Sequence, residues 1–259
     1  MLSLDNIKSY YSENLWGFER FILREYLQYK ILEIIYDGPH ASKLVFMGGT
    51  ALRIVHENTR FSEDLDFDNS GLKENDFENI TQDISKKMQL EGFEVELRNV
   101  FKGAYHCYIR FPQMLMKLGL SGHGEERILI RLDTENQHYE FNPERKIINK
   151  FDVFTQIAIT PPEILLAQKL YAVINRPRNK GRDFFDIVFL LGKNIKPDYG
   201  YLKQKLNIST ASDLKDKISH KLKQLNMKEM ADDVKPFLFN PTDEKKVLAF
   251  EKYFESVFI

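Results

Sequence analysis

Two aspartates, Asp64 and Asp66, stand two residues apart in the string Arg60-Phe-Ser62-Glu-Asp64-Leu-Asp66-Phe67. On a strand this spacing puts both carboxylates on one face, about 7 Å apart along the chain. Carboxylates held that way repel unless a cation joins them, and Mg²⁺ takes one or two carboxylates together with substrate phosphates. Upstream, Met47-Gly48-Gly49-Thr50 reads as the junction between a short buried strand and a helix. Glycines at such a junction let backbone approach a ligand closely, and the helix that follows offers free N–H groups and a positive dipole end to an anion. Together the two segments describe a site for a metal-bound phosphate.

Other Asp-x-Asp chemistries fit less well. An EF-hand loop beginning at Asp64 needs Gly at its sixth position and Glu at its twelfth, where this chain has Asn69 and Asn75. A phosphatase of the haloacid-dehalogenase type places its Asp-x-Asp directly after a buried apolar strand, whereas Thr59-Arg60-Phe-Ser62-Glu63 precedes it here. A solvated acidic loop accounts for the aspartates but not for the double glycine before them.

Two further strings carry charge in unusual places. In Pro161-Pro162-Glu-Ile-Leu-Leu-Ala-Gln-Lys169-Leu-Tyr-Ala-Val-Ile-Asn-Arg176, a helix sets Lys169 among Leu165, Leu166, Ala172 and Val173. An ammonium on that apolar face must snorkel to an edge or meet an anion. In Lys180-Gly-Arg182-Asp183-Phe-Phe-Asp186, Asp183 suits a helix N-cap, and Asp186, one turn on, is placed to pair with Arg182 or Lys169.

The Gly-Gly-Thr and Ser-x-Asp-Leu-Asp arrangement resembles the nucleotidyltransferase fold of the DNA polymerase β type. The fuller string, Gly48-Gly49-Thr50-Ala-Leu52-Arg53 followed by Arg60-Phe-Ser62-Glu-Asp64-Leu-Asp66-Phe67, is similar to the AbiEii/AbiGii toxin family of nucleotidyltransferases, with the Lys169 and Arg182-Asp183-Phe-Phe-Asp186 strings matching its later motifs. The resemblance implies the toxin of a toxin–antitoxin or abortive phage infection pair. It implies two Mg²⁺ ions on Asp64 and Asp66 with a third carboxylate on a neighbouring strand, for which Asp133 is the candidate and Glu135 the nearby alternative. Gly48, Gly49, Thr50, Arg60, Ser62, Lys169, Arg176, Arg182 and Asp186 would contact a nucleoside triphosphate, GTP or a pyrimidine nucleotide. Asp183 would join Asp64, Asp66, Asp133 and Lys169 as catalytic, with Asp186 an open alternative to it. The implied partners are an antitoxin protein and an acceptor such as the 3′ end of tRNA. A non-catalytic nucleotide-binding or partner-binding protein of the same fold and a metal-dependent phosphoesterase are the alternatives.

Composition agrees with an enzyme that handles one nucleotide at a time. The 259 residues carry 37 Lys and Arg against 38 Asp and Glu, which excludes a surface coated in positive potential. The charges are segregated: residues 62–96 hold eleven acids against three lysines, and residues 201–228 hold seven lysines against two aspartates. Those lysines read as a solvated helix face, with RNA contact as the alternative. Cys107 is the single cysteine, so no internal disulfide or Cys-based zinc site exists, and the six histidines show no metal-ligand spacing. With no apolar run long enough to span a bilayer, the expected setting is cytoplasmic, without membrane.

The elements that must position these residues follow from periodicity. Helices are expected over 14–36, from Thr50 and over 77–90, and strands at 43–47, 65–67, 93–99, 105–111 and 127–134. After Pro161-Pro162 the pattern is helical to the end. The expected class is α+β: a nucleotidyltransferase-like mixed sheet with flanking helices, then a helical domain. The divisions are an N-terminal helical segment over 1–40, a core over 41–155 and the helical domain over 156–259.

Overall fold

Burial alternates along Ile128, Ile130, Leu132 and Thr134, while Leu129, Arg131 and Asp133 face the other way. That period of two makes a strand with one covered face. In the computed structural model, which describes residues 2–259, the first elements are α1 (Leu4–Lys8), α2 (Glu19–Tyr36), β1 (Leu44–Met47), α3 (Gly48–His56), β2 (Leu65–Asn69) and α4 (Glu74–Leu90). Then come β3 (Glu96–Lys102), β4 (Ala104–Phe111), α5 (Met114–Lys117), β5 (Ile128–Glu135), β6 (Glu144–Lys150) and β7 (Val153–Ile159). The rest is helical: α6 (Pro162–Asn175), α7 (Gly181–Gly192), α8 (Tyr199–Leu206), α9 (Ala211–Leu222), α10 (Met227–Val234), α11 (Lys245–Leu248) and α12 (Phe250–Ser256).

The seven strands form one mixed sheet in the order β3-β4-β5-β2-β1-β7-β6. β1 lies antiparallel to β2 and parallel to β7, β2 is parallel to β5, and the outer pairs are antiparallel. α2 packs on β7, β5 and α4, and Ile22, Leu23, Tyr26, Leu27, Ile31 and Leu32 along it are wholly buried. α4 uses Phe77, Ile80, Ile84 and Met88, three or four residues apart, to cover the sheet. The β6–β7 hairpin is absent from the sequence reading. Its strands, Glu-Arg-Lys-Ile-Ile-Asn-Lys and Val-Phe-Thr-Gln-Ile-Ala-Ile, leave Ile147 and Phe154 on an exposed face, so no clean alternation marks them.

The chain forms two compact units. One comprises residues 1–56 and 61–159, and the other residues 57–60 and 160–259. The second therefore borrows four residues from the stretch between α3 and β2. Charge divides with the units: the helical one carries nineteen Lys and Arg against fourteen acids, net +5, and the sheet unit is net −6.

Candidate active site

In the sheet unit β1 ends at Met47 and α3 starts at once with Gly48, whose φ of +78° is left-handed. Side chains disfavour that conformation, and here a Cβ would also collide with the Asp66 carboxylate. The glycine is thus what allows β1 to turn into a helix against Asp66. Thr50, fully buried, donates its hydroxyl hydrogen bond to the Asp64 carbonyl. This ties the first turn of α3 to the entry of β2.

Register then sets a row of groups across the sheet. Met47 lies opposite Asp66, Asp66 opposite Asp133, and Asp133 opposite His106. Because β2 and β5 run parallel in that register, Asp66 and Asp133 share a face. Asp64 precedes β2 by one residue and meets Arg131, whose Nη2 lies 3.1 Å from its Oδ2. Arg131 Nε is 2.7 Å from Asp133 Oδ2, and His106 Nδ1 is 2.7 Å from Asp133 Oδ1. Burial works against the Arg131 charge, but Asp64, Asp133 and Asp66 more than offset it and hold its pKa above the usual arginine value. No local pattern in the sequence marks Arg131 or His106, because each is brought to the acids by strand pairing.

Ser62 sits just before these acids, and its carbonyl accepts a hydrogen bond from the buried Gln28 of α2 at 3.2 Å. α3 is held to α2 by Arg53, which clasps Glu25 through Nε at 2.8 Å and Nη2 at 3.1 Å. Lys150 and Tyr11 also contact Glu25. Burial would raise the Glu25 pKa, yet Arg53 and Lys150 pull it below the ordinary glutamate range.

In the helical unit a second set of charges converges. Lys169 on α6 lies 2.9 Å from Asp183 and 2.8 Å from Asp186, both on α7. Asp186 is wholly buried and also receives Arg60, through Nε and Nη2 at 2.7 Å each, and Asn58 at 2.8 Å. Arg60 is 1% exposed. The guanidinium expected to touch nucleotide is therefore committed to a buried carboxylate in a bidentate pair. Asp183 lies in the first turn of α7, with Lys180 at the cap position. Its second oxygen pairs with the half-exposed Arg176 at 2.5 Å. Burial opposes the charge on Lys169, but Asp183 and Asp186 raise its pKa above the usual lysine value. The same burial opposes the Asp186 charge, and Arg60 and Lys169 hold its pKa low. Lys169 is thus answered by two carboxylates and does not snorkel. Gly181 admits close packing of α7, since a Cβ there would strike the Met230 carbonyl of α10, and Arg182 lies over the Phe237 ring at 4.7 Å.

A mixed sheet that sets an Asp-x-Asp pair beside a glycine-initiated helix, with a further acid in register on the next strand, defines a nucleotidyltransferase-type fold. Solved structures share it: that of JHP933 from Helicobacter pylori has a TM-score of 0.56 and 19% identity, covering 92% of this chain and 91% of its own. A second H. pylori structure, described as a candidate nucleotidyltransferase, has a TM-score of 0.55 and 18% identity with 95% of each chain covered. No curated protein sequence matches. Residues 30–256 match the family described as nucleotidyl transferase AbiEii toxin, type IV toxin–antitoxin system, and the chain belongs to that family. No helix among the described residues is long and apolar enough to cross a membrane.

Proposed function

We propose that the chain transfers a nucleoside monophosphate from a nucleoside triphosphate to an acceptor hydroxyl, such as the 3′ end of tRNA, in a Mg²⁺-dependent reaction that a cognate antitoxin restrains. The observation that carries the reading is the placement of Asp64 and Asp66 at the end of β2 nearest α3, with the Gly48 backbone against Asp66. The donors are hard oxygens of the kind Mg²⁺ prefers. Mg²⁺ takes one or two carboxylates and is completed by substrate phosphates. Asp64 and Asp66 would hold it. When bound, the metal lowers the pKa of the attacking hydroxyl and neutralises charge on the phosphoryl oxygens.

The protein's own groups do the rest by positioning and electrostatics. Gly48, Gly49 and Thr50 open α3, and their N–H groups face the negative triphosphate. Ser62 adds a hydroxyl beside the acids. Asp133, fixed by Arg131 and His106, stands as the third acid on the row. The acceptor oxygen bonds to the α-phosphorus as the α–β anhydride breaks, pyrophosphate leaves, and the hydroxyl proton passes to solvent. Lys169 is paired with Asp183 and Asp186 within the helical unit.

The chain incubated with Mg²⁺, each α-labelled nucleoside triphosphate and total tRNA should leave label on an RNA. Label released as free monophosphate would instead make the protein a phosphoesterase, and binding without turnover would make it a nucleotide-binding protein.

A further inference from the structure

The outer arm of the sheet has two unlike faces. Leu97, Asn99 and Phe101 of β3, Cys107 and Ile109 of β4, and Ile130 and Leu132 of β5 face α4 and α2, and Asn99 donates to Thr81 of α4 at 2.9 Å. The opposite face carries Glu96, Arg98, Val100, Lys102, Ala104, His106, Tyr108, Arg110, Leu129, Arg131, Asp133 and Glu135, none of them buried, with Glu96 opposite Arg110. Its register is Arg98 opposite Tyr108 and Tyr108 opposite Arg131. Arg127 pairs with Glu96 at 2.6 Å, and Arg131 is held by Asp64 and Asp133. Arg98 and Arg110, in contrast, have no carboxylate within ion-pair distance among the described residues. The Arg110 guanidinium lies 5.7 Å from the centre of the Tyr108 ring.

We propose that this face is the acceptor's platform, and that its occupant is the single-stranded end of a polynucleotide, with a base stacked on Tyr108 and phosphates held by Arg98 and Arg110. The inference rests on the transferase reading for the identity of the reacting centre, but the surface stands on its own chemistry. An aromatic ring flanked by guanidinium groups that no carboxylate pairs with is how sequence-tolerant single-strand binders hold bases and backbone. An interface for a protein would want an apolar centre, and Val100, Ala104 and Leu129 are the apolar members of this face. Two strand spacings of about 4.8 Å each separate β4 from β2. A base on Tyr108 therefore brings its ribose toward Asp133 and Asp66, where an acceptor hydroxyl has to be.

The test uses the full chain and a short 5′-fluorescein-labelled single-stranded oligoribonucleotide with a free 3′ hydroxyl, read by anisotropy over a series of KCl concentrations. The double variant R98Q/R110Q should flatten the slope of log K against log salt by about 1.4, at about 0.7 per phosphate contact on a single strand. Tyr108→Ala should weaken binding by roughly tenfold, and Tyr108→Phe, which keeps the ring, should restore it. Circular dichroism melts of each variant establish that it is folded. Binding by R98Q/R110Q and Tyr108→Ala within about twofold of wild type would overturn the proposal. So would a wild-type chain that ignores the RNA and binds fluorescent poly-glutamate through Arg98 and Arg110, which would give the face to an acidic protein. Label transfer from α-labelled nucleoside triphosphate to the same oligoribonucleotide with Mg²⁺ is measured in parallel, so RNA bound without label transfer marks failure of the transferase reading separately from failure of the platform.

Discussion

The Arg60–Asp186–Lys169 network makes a quantitative demand on the stability of the helical unit. Asp186→Asn keeps the shape of the side chain but removes a charge that answers two buried cations. Leaving a buried charge uncompensated costs about 3–5 kcal/mol, and both Arg60 and Asp186 are within 1% of complete burial. With a urea m-value of about 2–3 kcal/mol/M, the midpoint for unfolding of that unit should fall by roughly 1–2.5 M. Hydrogen exchange of peptides from 160–259, followed through a urea series, reads that unit separately from the sheet. Replacing the pair by apolar groups, as Arg60→Met with Asp186→Leu, should recover much of the loss, because two uncharged partners carry no desolvation penalty. The pH dependence has a definite sign. Asp186 is held below the ordinary aspartate pKa, so its contribution is complete above the unfolded value of about 3.9 and disappears as pH falls through the lower folded value. Wild type and Asp186→Asn should therefore differ fully at neutral pH and converge only in acid well below pH 4. A variant that unfolds within about 1 kcal/mol of wild type at neutral pH would refute the assignment of this network as structural.

Three other outcomes follow from particular contacts. Gly48→Ala forces a left-handed backbone on a residue with Cβ, at about 1–2 kcal/mol, and pushes that Cβ into the Asp66 carboxylate. Nucleotide transfer should drop by more than about tenfold, and wild-type transfer rates in this variant would remove Gly48 from the site. Asp64→Asn should abolish transfer yet change the melting free energy by less than about 1 kcal/mol, since the side chains of its pair with Arg131 are 32% and 41% exposed. A labelled product from this variant would argue against Asp64 as a metal ligand. Cys107, buried in β4 with its thiol pushed up to about 12 by desolvation, should resist iodoacetamide at pH 8 until denaturant is added, and mass spectrometry of the native chain checks this.

Much of the scaffold was legible because its signals are local. Val-Phe-Met before two glycines, and the 3.6-residue spacing of Phe77, Ile80, Ile84 and Met88, need no tertiary information. Periodicity predicts one helix over 14–36, whereas the chain makes a 3-10 segment over Glu13–Phe18 before α2. The Asp-x-Asp pair was visible for the same local reason. What holds it was not: Arg131 meets Asp64 across 67 residues of sequence, and Gly48 meets Asp66 through strand register. The apolar neighbours of Lys169 leave it either to snorkel or to meet an anion, and the anions it meets are Asp183 and Asp186. That Arg60 would share the same carboxylate depends on residues 57–60 joining the helical unit, which hydrophobic periodicity does not encode.

That borrowed segment bears on how the chain can be made and cut. Arg60 and Asp186 are 126 positions apart in sequence, so during synthesis the guanidinium emerges long before the carboxylate that balances it. The helical unit is unfinished until most of the polypeptide exists, and a product ending ahead of α7 has Arg60 without its counter-ion. For the same reason an excised fragment beginning at residue 160 lacks Asn58 and Arg60, and Asp186 in it loses two of its three partners. Separating the halves for study requires a circularly permuted or co-expressed design that returns those four residues to the helices.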